Sequence, residues 1–218
     1  LSYEDAIKHD KRSFTQYYCS LLRTKHNIIF TFCSSIDYNS FHIKVSLLLF
    51  TICLSYTVNT LFYNDSTIHK IYENQGMFSF AFRIPQILYS VLISAIINGL
   101  IRYLSLSEEN VIKIKKNKKI ENIDLIMNEL FSCLTVKFIL FYMTGTLFLL
   151  FFWIYLATFC LVNKNTQYFV IKDASISLLI SMIYPIALYI LPGIFRIPGI
   201  SKKNKYLFIM SKIFQILA

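Results

Sequence analysis

The sequence has 218 residues, of which 56% are hydrophobic and only 16% charged, and its mean hydropathy is +0.53. Because soluble domains carry about 25% charged residues, this composition excludes an ordinary soluble domain. The formal net charge of +10 instead points to an anionic partner, either a nucleic acid or a membrane surface. The five cysteines form no CxxC pair and do not cluster with the four histidines, so neither a metal site nor a disulfide framework nor another cofactor is expected.

Residues 1–44 are predicted to form a cytoplasmic, interfacial segment. They lack the apolar core and cleavage site of a signal peptide. The stretch SFTQYYCSLLRTKHNIIFTF has the pattern of an amphipathic interfacial helix. Its apolar face consists of Phe14, Tyr17, Tyr18, Leu21 and Leu22. Since the chain starts with Leu1 and not with Met, it is expected to be a piece of a longer protein.

Four long apolar runs without Asp, Glu, Lys, Arg or His are predicted to be transmembrane helices. About 20 helical residues cross a bilayer core of about 30 Å, and these runs lack the polar face of soluble core helices. The predicted spans are residues 45–63, 84–101, 138–162 and 174–195. The expected fold class is therefore all-α, a polytopic membrane protein with four transmembrane helices plus cytoplasmic amphipathic helices.

Residues 64–83 and 163–173 are the predicted outer loops. Asn64, Asp65 and Ser66 form a glycosylation sequon, although it lies at the very end of span one, close to the membrane. Asp65, His69 and Glu73 recur at i, i+4 and i+8, a spacing that would place three metal ligands on one helix face. A polar helical loop with Asp65 as its N-cap is the favoured interpretation.

Polar residues and prolines inside the spans have predicted structural roles. Asn59 in span one and Asn98 in span two are expected to hydrogen-bond across helices, with a pore-lining role as the alternative. In span four Pro185 should kink the helix and Pro192 should bend or end it near the inner face. The predicted spans contain no ionisable residue, which argues against an ion-coupled transporter.

The predicted cytoplasmic loop, residues 102–137, combines an amphipathic helix with a basic cluster. Apolar residues recur at helical spacing at Ile123, Ile126, Met127, Leu130 and Leu134, so this helix lies on the membrane face or continues into span three. Five lysines precede it: Lys113, Lys115, Lys116, Lys118 and Lys119. The predicted tail, residues 196–218, is also basic and contributes Arg196, Lys202 and Lys203.

The basic residues are distributed unequally between the two predicted sides of the membrane. Residues 1–44, 102–137 and 196–218 hold 18 Lys and Arg, whereas the outer loops hold four. This positive-inside pattern predicts cytoplasmic termini and a multi-pass membrane protein, with the plasma membrane favoured. The lysines then orient the chain and contact anionic lipid headgroups. No nucleic-acid partner is expected, because the aromatic residues that stack on bases do not accompany the lysines.

Several motifs between residues 10 and 214 are familiar in combination. They are DKRSFTQYYCSLLRTKHNIIFTF, DYNS, DSTIHKIYENQG, IPQILYS, LSLSEENVIKIK and YPIALYILPGIFRIP. Together they resemble a multi-copy family of predicted multispan membrane proteins in ciliates and related protists. The resemblance implies a C-terminal transmembrane module of large surface proteins, and it implies no activity and no functional residue.

The sequence therefore predicts a non-enzymatic multispan membrane anchor or scaffold module, part of a larger surface protein. Its basic cytoplasmic face would contact anionic lipid or a protein partner, and a homo-oligomer is compatible with this function. The alternative is a subunit of an oligomeric ion channel or transporter. A membrane enzyme ranks third, because the sequence contains no GxSxG, HExxH or Gly-rich phosphate motif.

Overall fold

The computed structural model describes residues 3–33, 37–77, 80–108, 110–112 and 123–217, without the side chains of residues 80–83, 123–126 and 216–217. Throughout these ranges the fold is all-α, and none of their residues lies in a β-strand. The helices are α1 (Tyr3–His9), α2 (Phe14–Lys25), α3 (Asn27–Cys33), α4 (Phe41–Leu61), α5 (Asp65–Glu73), α6 (Phe80–Ser105), α7 (Ile123–Val162), α8 (Gln167–Leu188), α9 (Ile190–Ser201) and α10 (Lys205–Leu217).

Four helical stretches are long and apolar enough to cross a membrane. They are Phe41–Leu61, Ile84–Ser105, Met127–Val162 and Gln167–Ser201. The prediction of an all-α fold with four helices of spanning length is therefore confirmed. The helix predicted from Ile123 continues into span three, because α7 runs unbroken for 40 residues. At 1.5 Å per residue it is about 60 Å long, roughly twice the thickness of a bilayer core.

The chain divides into two compact units. The bundle unit comprises Ile36–Leu179, and the terminal unit comprises Leu1–Ser35 with Ile180–Ala218. Helix α8 contributes its first half to the bundle unit and its last turns to the terminal unit.

In the bundle unit α4 is the central helix. It packs against both α6 and α7, which also contact each other. Half of the residues in the most apolar part of α4 are buried, whereas only 11% are buried in the corresponding part of α7. The core around α4 contains Ile43, Leu47, Phe50, Leu54, Val58, Ile101, Phe141 and Phe152. Helix α7 therefore turns most of its apolar side chains outward, as a lipid-facing helix does.

In the terminal unit α9 and α10 form a helical hairpin against which α2 packs. A Cβ at Gly199 would lie 2.9 Å from the backbone N of Phe208, so the two helices approach more closely than any side chain would allow. The connecting turn contains Lys203 at a positive φ of 49°. Asn204 caps α10 by accepting from the backbone N–H of Tyr206 at 3.0 Å. The predicted tail is thus the end of α9, a tight turn and α10.

Span four is interrupted at Tyr189, between α8 and α9. Pro192 has no N–H, so the carbonyl of Leu188, four residues earlier and last in α8, lacks a helical donor. Pro185 lies inside α8 without ending it. With 22 residues, or about 33 Å, α8 can cross a bilayer core by itself. Of the two prolines that were predicted to bend span four, Pro192 therefore accounts for the interruption.

The first part of the predicted outer loop 64–83 is the helix α5, and its cap differs from the prediction. Asn64 is the N-cap of α5, and its Oδ1 accepts from Thr67 N at 2.9 Å and from Ser66 Oγ at 2.8 Å. Asp65 is the first residue of the helix, so its prediction as N-cap was wrong. The Asn64 side-chain amide is also the group that would be glycosylated in the sequon. In this structure its oxygen caps the N-terminus of α5. Among the described residues no cluster of three or more His, Cys, Asp or Glu could hold a metal ion.

Candidate functional site

The terminal unit is built around the carboxylate of Asp10, whose side chain is only 3% exposed. Arg12 approaches it side-on, with Nε 2.7 Å from Oδ1 and Nη2 2.8 Å from Oδ2. Arg196 approaches from α9, with Nε at 3.0 Å and Nη2 at 2.7 Å from Oδ2. A carboxylate offers about four lone-pair sites. Of the four charge-assisted hydrogen bonds, three are accepted by Oδ2 and one by Oδ1.

The electrostatics of this cluster favour the charged forms of Asp10 and Arg12. The hydrogen bonds from Arg12 hold the pKa of Asp10 well below its usual range, burial works in the opposite direction, and Arg196 adds to the lowering. The same hydrogen bond to Asp10 raises the pKa of Arg12. Asp10 is therefore ionised throughout the physiological pH range.

Two aromatic rings enclose the guanidinium of Arg196, which is 5% exposed. Its Cζ lies 5.0 Å from the ring centroid of Tyr17 and 4.9 Å from that of Phe208. The Cζ of Arg12 lies 5.2 Å from the same Tyr17 centroid. These distances are those of cation–π contacts. We call the five residues Asp10, Arg12, Tyr17, Arg196 and Phe208 the ionic clasp.

The ionic clasp changes the interpretation of Arg196. The sequence predicted that Arg196 contacts lipid headgroups together with Lys202 and Lys203. Its guanidinium is instead buried and paired with Asp10, so it is not presented to a headgroup. Lys202 and Lys203 are exposed in the turn between α9 and α10, where such a contact is possible.

Helix α2 continues the clasp along span four, and the two run antiparallel. The paired positions are Phe14 with Gly193, Tyr18 with Ile186, and His26 with Met182. The hydroxyl of Tyr18 donates to the carbonyl of Ile186 at 3.1 Å, and Nε2 of His26 lies 3.0 Å from the carbonyl of Met182. Both carbonyls lie within three residues of Pro185. The side chain of Tyr18 on α2 and that of His26 directly after α2 therefore donate hydrogen bonds to span four beside Pro185, which lies inside α8.

The apolar face predicted for α2 is turned toward protein. Tyr17 and Leu21 are both 4% exposed and form a cluster with Tyr189, against which Tyr18 and Leu22 also pack. At the end of this helix Nδ1 of His26 is buried without a hydrogen-bond partner among the described residues. The segment that sequence reasoning assigned to the membrane surface is thus a packed part of the terminal unit.

A second polar site, the polar seam, runs between α4 and α6 in the bundle unit. On α6 it comprises Gln86, Ser90, Ser94 and Asn98, spaced four residues apart. Thr51 on α4 donates to Oδ1 of Asn98 at 3.1 Å, and Nε2 of Gln86 donates to the backbone carbonyl of Asn59 at 2.9 Å. Asn98 thus makes an interhelical bond of the kind predicted. The four-residue period on α6 is the sequence feature that could have revealed the whole seam.

The side chain of Asn59 behaves differently from that of Asn98. Asn59 is 1% exposed, and both its Nδ2 and its Oδ1 lack partners among the described residues. The hydroxyl of Ser94, also in the seam, is buried and unpaired in the same sense. Burying an amide without a hydrogen bond is costly. The predicted interhelical role of Asn59 is therefore carried by its backbone and not by its amide.

Two buried ionisable residues, Asp173 and Lys44, lie in helices of spanning length, just outside the predicted spans. Asp173, assigned to an outer loop, lies in α8, is 2% exposed and accepts a 2.7 Å hydrogen bond from the hydroxyl of Tyr63. Lys44, assigned to the segment before span one, lies in α4 and forms a buried ion pair with Asp37 at 3.0 Å. The predicted spans, residues 45–63 and 174–195, contain neither residue, but the helices begin before these runs and include both. Assigning only uncharged runs to spans excluded both residues.

At one end of the bundle unit, hydrogen bonds join the segment before α4 to the segment after α6. Oδ1 of Asn39 accepts from the backbone N–H of Ser107 at 3.0 Å, and the hydroxyl of Ser107 donates to the carbonyl of Tyr38. Nζ of Lys137 donates to the carbonyl of Leu106 at 3.0 Å. The basic cluster Lys113, Lys115, Lys116, Lys118 and Lys119 lies outside the described residues.

Comparison with family models, with curated proteins and with solved structures found no match for this chain. The resemblance to protist multispan proteins therefore stays a prediction. What can be said of function comes from the ionic clasp, the polar seam and the exposed surface of the chain itself.

Proposed function

We propose that this chain is a multispan membrane anchor or scaffold module with cytoplasmic termini. Its terminal unit, made from both ends of the chain, would form a folded platform that presents a basic surface to anionic lipid or to a partner. The observation that carries this proposal is the buried contact between Asp10 and Arg196. Because Asp10 and Arg196 are in direct contact, they must lie on the same side of a membrane. The four predicted spans lie between them in the sequence, and an even number of crossings meets this requirement.

The distribution of charge supports the same function. The buried charges of the ionic clasp and of the Asp37–Lys44 pair hold helices together, which is a structural use. The exposed lysines of the terminal unit, Lys202 and Lys203 among them, have no comparable internal role and face outward. A positive surface on a membrane-tethered unit is suited to anionic headgroups.

Cysteine accessibility in intact cells tests the topology. Cys19 on α2 is exposed, and Lys164→Cys would place a thiol in the second predicted outer loop. In a background with the other cysteines replaced by serine, an impermeant maleimide is expected to label the outer thiol in intact cells and Cys19 only after permeabilisation. Labelling of Cys19 in intact cells would contradict cytoplasmic termini.

The size of the native protein tests the larger-protein part of the proposal. These residues account for 25.6 kDa. If the chain is a C-terminal module of a surface protein, an antibody against the α5 loop should detect a band several times larger on a blot of the source cells. A band near 26 kDa would reject a large surface protein and leave a membrane scaffold of this length.

The polar seam favours a second candidate, a subunit of an oligomeric channel or transporter. Asn59 near the end of α4 and Ser94 in the middle of α6 hold unused hydrogen-bonding capacity, and intramembrane polar groups of this kind line permeation paths in some membrane proteins. Conductance of planar bilayers containing the purified protein separates the two candidates. A scaffold gives the conductance of protein-free bilayers, whereas a channel gives a conductance that Asn59→Leu alters.

A further inference from the structure

Helix α10 carries an apolar stripe on the face that is turned away from its partner α9. Its inner face is closed, because Phe208 and Ser211 are 1% and 0% exposed. On the outer face Tyr206 is 69% exposed, and Ile209 and Ile213 are each 45% exposed. Their spacing of three and four residues places them side by side on the helix. The stripe is therefore a continuous apolar strip on the surface of the terminal unit.

Lysines border this stripe, and no acidic residue occurs near it in the sequence. Lys205 and Lys212 lie on α10 itself, and Lys202 and Lys203 lie in the turn before it; all four are exposed. Residues 174–218 contain neither Asp nor Glu. The side chain of Lys212 extends over the Phe208 ring, with Nζ 5.2 Å from its centroid. Helix α10 thus combines apolar side chains only with positive charge, whereas the neighbouring α1, whose Tyr3 ring lies 5.3 Å from that of Phe208, carries the exposed acids Glu4 and Asp5.

The hairpin holds this surface in a fixed orientation. The close approach at Gly199 fixes the hairpin at the turn, and the rings of Phe195 and Phe214 stack at 5.1 Å with an interplanar angle of 13° near the other end. The Phe208 ring is also part of the ionic clasp. A stripe presented by a packed hairpin loses little conformational entropy when it binds.

We infer that the α10 stripe is a lipid-binding surface that lies in the headgroup region of an anionic membrane leaflet. Tyr206, Ile209 and Ile213 would enter the boundary with the acyl chains, and the bordering lysines would contact headgroup phosphates. A helix of 13 residues, about 20 Å long, is too short to cross the bilayer and fits this interfacial position. The inference rests on the proposed membrane module, for which it names anionic lipid as the ligand.

Lipid is the occupant that the charges favour. A protein partner would have to offer an acidic surface with an apolar centre, whereas an anionic bilayer offers both features at once. The unit is also tethered to the membrane by α8, so the lipid surface is always at high effective concentration. The interfacial surface is then α10, and not α2 as the sequence suggested.

Depth-dependent quenching of a single tryptophan tests this inference. Trp153 is the only tryptophan, so the double variant Trp153→Phe, Ile209→Trp carries one indole on the stripe. The full chain is reconstituted into vesicles of phosphatidylcholine with or without phosphatidylserine, and the vesicles are washed with alkaline carbonate. We expect lipids brominated near the headgroup to quench this indole about twofold more strongly in anionic than in neutral vesicles.

Two charge-neutralised variants provide the matched comparison. Lys205→Gln with Lys212→Gln should remove most of the difference between anionic and neutral vesicles. Lys70→Gln with Lys164→Gln removes the same charge from the predicted outer loops and should leave the quenching unchanged. If Ile209→Trp does not fold, Tyr206→Trp in the same Trp153→Phe background replaces it.

The outcomes separate this inference from the proposed function. An indole quenched by aqueous acrylamide and not by brominated lipid would overturn the lipid surface. An indole quenched by neither would show that protein covers the stripe, which also overturns it, while the membrane module stands. Release of the chain from the vesicles by carbonate would contradict the membrane module itself, and the lipid inference would fail with it.

Discussion

Asp10 illustrates how one buried charge can organise a polar cluster. Its carboxylate has three percent of its side-chain surface exposed and receives four hydrogen bonds from two arginines. Arg196 is enclosed as completely, so neither partner can exchange the other for water. A buried pair of this kind adds little net stability compared with an apolar replacement, yet removing one partner leaves an uncompensated charge.

Replacing Asp10 should therefore destabilise the terminal unit strongly. We expect Asp10→Asn to cost about 3–5 kcal/mol, because the guanidinium of Arg196 stays buried without its counter-charge. Thermal unfolding of the purified protein in detergent measures the loss. Glu4→Gln, which removes an exposed carboxylate from α1, serves as the control and should change stability little. Equal melting temperatures for the two variants would contradict the importance of the clasp.

The pH dependence of this contribution has a definite sign. The pKa of Asp10 in the folded protein lies below its ordinary value of 3.8, so its contribution to stability is complete above that value and is lost as the pH falls toward the folded-state pKa. The difference in melting temperature between wild type and Asp10→Asn should stay constant from pH 7 to pH 5 and shrink below about pH 4. A difference that already shrinks between pH 7 and pH 5 would show that Asp10 is not held in its ionised form.

The two asparagines of the polar seam should respond in opposite directions to the same substitution. Asn59→Leu removes a buried amide without partners and should stabilise the bundle by about 1–3 kcal/mol. Asn98→Leu removes the acceptor of Thr51 and should destabilise it by about 0.6 kcal/mol, a typical value for an interhelical bond in a membrane. Unfolding of both variants in detergent makes the comparison. Destabilisation by both would mean that the Asn59 amide has a partner in the membrane.

Some of these residue roles could be predicted from the sequence and others could not. The bond made by Asn98 follows from a polar residue in an apolar helix, which needs a partner nearby. The pairing of Asp10 with Arg196 does not follow, because 186 residues separate them and charge patterns say nothing about contacts at that distance. The burial of Arg196 was hidden for the same reason, and Arg196 was expected to face the membrane surface.

At the scale of helices, the glycines separate close packing from open surface. A Cβ at Gly199 would meet the Phe208 backbone at 2.9 Å, and backbone cannot move aside as a side chain can. At Gly99 on α6, no heavy atom of the described residues beyond its own stretch of helix lies within 4 Å of the same position. Gly199→Ala should therefore destabilise the α9–α10 hairpin.

The matched variant Gly99→Ala should be neutral or stabilising by up to about 1 kcal/mol through helix propensity. Circular dichroism melts of both variants measure the difference. If Gly199→Ala is as stable as Gly99→Ala, then the two helices of the hairpin are farther apart than described.

The apolar runs were sufficient to predict that four long helices exist, but not to predict the residues at which these helices begin and end. Runs of uncharged residues marked the centres of the spans, because lipid selects against charge there. The ends were set by tertiary partners instead: Lys44 is included in α4 because Asp37 neutralises it, and Asp173 is included in α8 because Tyr63 donates to it. The interruption at Tyr189 was foreseeable from Pro192, whereas the capping role of Asn64 depended on a choice between neighbouring residues.

For the molecule as a whole, Arg196 determines whether the N-terminal segment is part of the fold. Arg23 and Lys25 are exposed on α2, but a packed helix resists cleavage. Arg196→Leu should release α1 and α2 from α9, so that α2 unfolds more often and trypsin cleaves after these residues faster by about tenfold or more. Limited proteolysis of the purified protein, followed by mass spectrometry, measures this rate. Lys202→Leu, an exposed neighbour on the same hairpin, is the control and should leave the rate unchanged. Equal rates in both variants would contradict the docking of α2.

The clasp between the chain ends has a consequence for biosynthesis. Asp10 emerges from the ribosome 186 residues before Arg196, a delay of about 10–40 s at ordinary rates of translation. During that time the apolar side chains of α2 lack the α9 side of their packing, and α4, α6, α7 and α8 must all be made before α9 exists. The N-terminal segment can therefore reach its native packing only after insertion is complete. A nascent chain that stalls before α9 would keep this segment accessible to chaperones and proteases, which could distinguish unfinished copies from finished ones.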